Sequence, residues 1–434
     1  SALRVLFLQQ EIADKVIDMI IGAMRELKVG DPAALSTDIG PLIDGRALAR
    51  MREHRQFMES AGRLLHACEG PAGDEHSFFP PHLYEISNLS LLEREVFGPI
   101  VHVIRYRGAE LNQVVEQIND TGYGLTFGVH SRIERRTESL AASISAGKVY
   151  VNRNMIGAVV GVQPFGGHGL SGTGPKAGGP QYLDRLVSHA PERQNADDQL
   201  ALPSPADPAD SQTPPDDPDV ARQWRRCGIG ERISVLRQYI ASFAHTAPAT
   251  ADAELTLDAA REQLLFAQRT LGEYTELPGP TGESNILVLE PRGTLVLSLD
   301  NPEHNGEYLM ALLSALSAGN TVTGIAVEGL LADWEDTAQG LVEAGLPPAC
   351  FRVLPYAAMA RALAEPRTRG ALVHAQSRYL QAIARDLATR EGAILPLISS
   401  VSPEMLLRQT LLEKTVSIDT TAAGGNASLM TMAP

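Results

Sequence analysis

Val151–Pro180 reads VNRNMIGAVVGVQPFGGHGLSGTGPKAGGP and follows a strand-like GKVYV beginning at Gly147. The glycines Gly157, Gly161, Gly166, Gly167, Gly169, Gly172 and Gly174 predict backbone in conformations closed to residues that carry a side chain. They also predict main-chain N–H groups that a ligand can approach. Beside Phe165, such a loop suits a pocket wall, holding an anion with amides and an apolar body with a ring. A glycine-rich surface loop with no ligand has the same composition.

Around this loop the chain reads as a globular protein. Its 434 residues, 44% hydrophobic and 21% charged, suffice for two or three domains with cores of their own. A net charge of −15 argues against nucleic-acid binding by this chain. Its three cysteines, Cys68, Cys227 and Cys350, are far apart and form no CxxC pair, so reduced thiols in the cytoplasm and no metal site are expected. Cys227 sits in WRRCGIGERI, where arginines can lower a thiol pKa, but no partner base is evident. No apolar run is long enough to span a bilayer.

Periodicity gives strands at Arg4–Gln9, Ile100–Tyr106, Leu125–His130 and Lys148–Val151. It gives helices at Glu11–Leu27, Ala47–Ala67 and Leu111–Asp120, and Val29–Asp44 is turn-rich. Strands alternating with helices predict an α/β core. Composition then shifts over Pro191–Val220, PERQNADDQLALPSPADPADSQTPPDDPDV, which is too polar to bury a core and reads as a linker. Beyond it, helices at Ala221–Ala247 and Asp258–Gly272 precede a second α/β unit, with a strand at Pro291–Leu299 and a helix at Tyr308–Gly319.

The wording of the glycine-rich loop carries more than its composition. PFGG followed by SGTG and GGP resembles the C-terminal signature of the aldehyde dehydrogenase superfamily. VGDPAALSTDIGPLID (Val29–Asp44) and EVFGPIVHVIRY (Glu95–Tyr106) resemble two further superfamily segments, in family order. The longer string NRNMIGAVVGVQPFGG resembles the L-glutamate γ-semialdehyde dehydrogenase half of the bifunctional proline-catabolic family. The resemblance covers roughly residues 1–187. In that family the catalytic cysteine directly precedes a segment worded like SALRVLFLQQEIADKV (Ser1–Val16). The resemblance therefore implies a nucleophile immediately before Ser1, and a chain that is the C-terminal part of a longer protein and inactive by itself.

The second α/β unit resembles an aldehyde dehydrogenase dinucleotide-binding domain stripped of its chemistry. GPTGESNILVLEPRGTLVLSL and ALSAGNTVT match its opening strands. Ile325 stands where relatives carry a ribose-binding lysine, and isoleucine cannot donate a hydrogen bond. Ala375-Gln376-Ser377 replaces a glycine-containing phosphate turn. In the closing TAAGGNASLM (Thr421–Met430), Ala422 takes the place of the general-base glutamate. The expected layout is a partial catalytic domain with its anchor loop and oligomerisation end over 1–190, a linker over 191–220, a degenerate Rossmann-like domain over 221–415 and a tail over 416–434. In that family the extra domain is expected to cover the route of the intermediate and steady the assembly.

The reaction implied is oxidation of an aldehyde: a thiolate attacks, hydride passes to NAD and water releases the acid. This chain would supply positioning. Glu95 and Phe97 match the pair that holds the nicotinamide ribose. Ser1, Gly157 and Ala158 match the positions that bind the α-carboxylate of L-glutamate γ-semialdehyde, and Phe165 matches the wall beside its carbon chain. His168 is assigned no role. The resemblance also implies a homo-oligomer and, in the proline dehydrogenase half of the parent, FAD. Two other readings remain: a non-catalytic scaffold that kept the fold, and a stand-alone γ-semialdehyde dehydrogenase.

Overall fold

The alternating apolar pattern of RVLFLQ and the helical periodicity after it are realised without a break: β1 (Val5–Gln9) runs straight into α1 (Gln10–Arg25). The structure, a computed structural model, describes residues 2–71, 77–183, 186, 201–202, 218–246, 250–272, 274–399 and 402–421. Ser1, Ala422 and most of the expected linker (191–200 and 203–217) lie outside the described residues. The described chain divides into two units. The first takes the residues up to 122 plus 142–144 and 155–157, and the second takes the rest.

In the first unit, α2 (Gly45–Ala61), β2 (Arg63–Ala67), β3 (His82–Glu85), β4 (Ile100–Tyr106) and α3 (Leu111–Asp120) follow α1. The helix expected over Ala47–Ala67 is corrected here. It stops at Ala61, Gly62 takes an extended conformation, and RLLHA pairs antiparallel with β3. Pairing with a neighbouring strand overrides local helical periodicity. Asp44 caps α2, its Oδ1 accepting from Ala47 N–H at 2.7 Å. The sheet runs β1-β4-β3-β2, with β1 and β3 parallel to β4. Successive strand residues point to opposite faces. Thus Leu83 and Val103 pack with Ala13 and Ile17 of α1, while Tyr84 and Ile104 pack with Leu48, Met51 and Met58 of α2.

The second unit opens with β5 (Tyr123–Gly124), β6 (Thr126–Val129), α4 (Glu134–Ser143), β7 (Lys148–Val151) and β8 (His168–Gly169). Then come α5 (Pro218–Arg226), α6 (Ile229–Thr246) and α7 (Ala251–Leu271), so the helix expected at Ala221–Ala247 is broken at Cys227–Gly228. There follow β9 (Thr275–Leu277), β10 (Glu283–Pro291), β11 (Thr294–Leu299), α8 (Asn305–Ser317), β12 (Thr321–Ala326), α9 (Glu328–Glu343) and β13 (Phe351–Pro355). The last elements are α10 (Met359–Ala364), β14 (Thr368–Leu372), α11 (Leu380–Thr389), β15 (Leu397–Ile398), α12 (Pro403–Gln409) and β16 (Leu411–Asp419).

One sheet of this unit is parallel throughout, in the order β13-β12-β11-β14-β15. Counted along the chain this is the doubly wound order that begins 3-2-1-4-5. Its strands are buried on both faces, which is why TLVLSL is nearly continuous in apolar residues. Leu295, Leu297 and Leu299 face α6 to α9, and Val296 faces α10 and α11. Leu202, inside the expected linker, packs against the second of these clusters.

The other large sheet, β6-β7-β16-β10-β9, joins distant parts of the chain. β16 runs parallel to β7 and antiparallel to β10, pairing Thr415 with Lys148 and Val416 with both Val149 and Ile286. The expected tail boundary at 415/416 therefore falls inside a strand. Likewise, the residues from 123 to 183, except 142–144 and 155–157, sit in the same unit as the described residues beyond 201. The expected boundary at residue 190 does not divide the units.

Candidate functional site

Glu95 and Phe97 lie on the loop that leads into β4. Gly98, next in that loop, passes so close to Met51 that a Cβ there would stand 2.1 Å from its sulfur, which gives the glycine of EVFGP a packing reason. Glu95 is exposed, and its only ion pair among the described residues is Arg4 Nε at 3.6 Å, a weak surface contact. The Phe97 ring is 82% exposed. An exposed acceptor and an exposed ring two residues apart fit a sugar with hydroxyls to donate and a face to cover.

The glycine-rich loop begins where β7 ends. Asn152 takes the left-handed conformation, φ 57°, one that asparagine tolerates better than most residues. Its Oδ1 accepts from Ser131 N–H at 2.9 Å. Gly157 has φ 82°, with open space where a Cβ would stand. Ile156, Val159 and Val160 are exposed beside it. The loop then folds on itself: Phe165 and Ala177 exchange backbone hydrogen bonds of 3.0 and 2.8 Å. Phe165 is half-buried. Gly157 belongs to the first unit, and Ala158 and Phe165 to the second.

Strands β16 and β10 hold this loop in place. His168 Nε2 donates to the Glu413 main-chain O at 2.9 Å. A carbonyl only accepts, so Nε2 carries the proton. Lys176 N–H donates to Glu413 Oε2 at 2.6 Å, and Thr415 Oγ1 donates to Pro164 O at 2.7 Å. Gln163 Nε2 donates to Glu283 Oε1 at 2.5 Å, and Arg153 pairs with the other oxygen of Glu283. Burial pushes the His168 imidazole down to about 4 against the pull of its own hydrogen bond, so it is neutral. Burial likewise pushes Lys176 down to about 8, with the Glu413 charge opposing. Burial raises the Glu413 carboxyl, and its two opposing contacts with Lys176 do not cancel that. Sequence reasoning gave His168 no role, and its partners lie far along the chain, so no local signal marked it.

None of the three cysteines has the environment of a nucleophile. Burial raises all three thiols, Cys350 to about 12. At Cys227 the arginine expected to lower the pKa is outweighed by desolvation and Glu231. In the parallel sheet Ile325 is fully buried among Val296, Tyr356 and Met359, and offers a ribose nothing. Ser377 of the Ala375-Gln376-Ser377 turn donates to Asp300 Oδ2 at 2.5 Å. The residues there do not fit a dinucleotide. They do bring together His304, just before α8, Glu307 in its first turn, and His374 in the chain that leaves β14; the sequence reading singled out none of the three, because no local pattern links the two segments.

Residues 1–189 match the aldehyde dehydrogenase family. The bifunctional protein PutA of Escherichia coli is 39% identical over 448 residues, covering 100% of this chain and 30% of PutA. A 1-pyrroline-5-carboxylate dehydrogenase of a Geobacillus species is 37% identical over 177 residues, 40% of this chain and 34% of that enzyme. Proline utilization A of Corynebacterium freiburgense superposes with a TM-score of 0.58 at 21% identity, covering 97% of this chain and 35% of that one, a likeness of fold. The chain thus spans about 30% of the length of the PutA relatives it matches. Residues 1–189 are thus similar to the aldehyde dehydrogenase family, in a chain similar over its whole length to part of the PutA proteins.

Proposed function

We propose that this chain is part of an NAD-dependent L-glutamate γ-semialdehyde dehydrogenase within a bifunctional enzyme that converts proline to glutamate. The observation that carries this reading is the similarity to PutA over all of the chain, its second unit included. Glu95 accepts hydrogen bonds from the nicotinamide ribose and Phe97 covers the sugar. Amides of Gly157 and Ala158, with the hydroxyl of Ser1, hold the α-carboxylate. Phe165 lines the carbon chain, so the aldehyde is presented in one orientation. NAD, when bound, supplies the hydride acceptor. FAD serves the proline dehydrogenase part, to which no residue of this chain is assigned. The parallel sheet of the second unit is structural: with its own nucleotide contacts replaced, it carries β16 to β7 and the anchor loop. The enzyme is read as a cytoplasmic homo-oligomer; among the described residues no helix is long and apolar enough to cross a membrane.

Kinetics of the full-length enzyme test the assignment. Glu95→Gln is expected to raise the KM for NAD at least about ten-fold, the scale of a lost charged hydrogen bond, while the aldehyde KM stays near wild type. Phe165→Ala is expected to do the reverse. The 434-residue chain by itself, given NAD and the semialdehyde, is expected to show no turnover, because its three thiols are all raised. A Glu95→Gln enzyme with unchanged NAD kinetics would remove Glu95 from the ribose site.

A further inference from the structure

The parallel sheet has lost the fittings of a nucleotide site, yet the place where a doubly wound sheet binds ligands is furnished with different chemistry. In the order 3-2-1-4-5 the connections diverge after the first and fourth strands, and the crevice lies beyond their carboxyl ends. Here those strands are β11 and β14. The chain leaving β11 carries Asp300, His304 and, in the first turn of α8, Glu307. The chain leaving β14 carries His374 two residues after its last residue. One ligand atom from each of His304, Glu307 and His374 lies within 4.8 Å of the others.

We propose that His304, Glu307 and His374 form a binding site for a divalent transition-metal ion, with zinc as the occupant. Two imidazoles and one carboxylate are a zinc donor set, at roughly 2.0–2.2 Å per bond. A tetrahedral ion holds its ligands roughly 3.3 Å apart at such bond lengths. A separation of at most 4.8 Å closes to that by side-chain rotation. The rings of His304 and His374 stack with centroids 3.7 Å apart, and an ion must turn at least one of them. His374 Nδ1 accepts from Gln376 N–H at 3.3 Å, a long bond that yields easily.

The frame beneath the three ligands is rigid. Asp300 is buried and accepts from Tyr308 Oη at 2.7 Å and Ser377 Oγ at 2.5 Å, which ties the end of β11 to α8 and to the turn after β14. The Tyr308 ring meets both histidine rings edge-on at 6.3 Å. Such a support fixes ligands before the ion arrives. The N-terminus of α8 opposes a cation with about half a unit charge, and the carboxylates of Glu307 and Asp300 outweigh it. Glu307 is exposed while both histidines are half-buried, so a fourth position faces solvent.

The test is a zinc titration of the tag-free, metal-stripped full chain against a chromophoric chelator. One zinc per chain is expected, with affinity reduced at least about ten-fold in His304→Ala and in His374→Ala and unchanged in His245→Ala, an exposed control. Glu307→Gln, on an exposed side chain, keeps the test valid if a histidine variant misfolds, and is expected to weaken binding too. Cobalt in place of zinc should give visible bands without sulfur-to-metal charge transfer. Wild-type affinity equal to that of the His304→Ala/His374→Ala double variant, an unaltered Glu307→Gln, or a thiolate band from Cys68, Cys227 or Cys350 would each overturn the site.

Discussion

Lys148 shows how a single side chain reports the pairing of two remote strands. It is fully buried, its Nζ donates to Ser417 Oγ at 2.6 Å across 269 residues of sequence, and Ser417 in turn bonds Asn285. Burial, with help from the Lys176 and Arg153 charges and against Glu283, pushes the ammonium down to about 7. The unfolded chain keeps that proton up to the ordinary value of 10.5, the folded chain only to about 7. Between those values the unfolded state binds more protons, so stability rises with pH there and the cost of burying the charge is greatest below 7. Lys148→Met is therefore expected to be more stable than wild type at pH 7 by on the order of a few kcal/mol. The advantage should shrink as pH climbs toward 10. Denaturant unfolding at pH 7 and pH 9.5 checks this, and parallel wild-type and variant curves would count against it. From sequence, a lysine in KVYV read only as a strand residue, because its partner lies on a strand no local pattern points to.

At the scale of the element, β16 is the piece the sequence reading understood least. β1, β4, α3 and β7 were legible because each is a short run whose own periodicity matches its environment. The glycine-rich loop was legible because its positive-φ turns demand glycine at positions such as Gly157 and Gly161. β16 was cut by an expected boundary because LLEKTVSID gains its buried state from β7 and β10, not from its own composition. As an interior strand it cannot spare a ladder donor. Thr415 N–H donates to Gly147 O at 2.9 Å, and its hydroxyl donates to Pro164 O. Thr415→Pro is expected to cost about 3 kcal/mol or more, and Thr415→Val, which removes only the hydroxyl bond, about 1–3 kcal/mol. Amide hydrogen exchange should show this as lost protection at Val149 and Val151 in the proline variant, with far less change in the first unit's β4. Undiminished protection in β7 would mean that β16 does not hold it.

For the molecule as a whole, composition located the Pro/Asp-rich stretch but not the structural division. A shift of composition is visible in sequence, whereas a sheet assembled from strands on both sides of it is not. The described residues divide near Gly122, and β7 takes its inner neighbour, β16, from the far end of the chain. Two truncations follow. Residues 1–190 lose β16 and β10, which leaves β7 with an unpaired edge and uncovers Val149 and Tyr150, both fully buried in the intact chain. A flat apolar edge invites pairing between copies, and Ile156, Val159 and Val160 are already exposed nearby in sequence. That piece is expected to aggregate on expression. Residues 123–434 keep both five-stranded sheets of the second unit and the large cluster around Leu312, Leu316, Leu297 and Trp334. That piece is expected to be soluble and to unfold cooperatively. Size-exclusion chromatography and thermal melting of the two pieces decide the matter. A monodisperse, cooperatively melting 1–190 would show that the catalytic segment completes its own sheet, and that β16 is an addition to it and not a part of it.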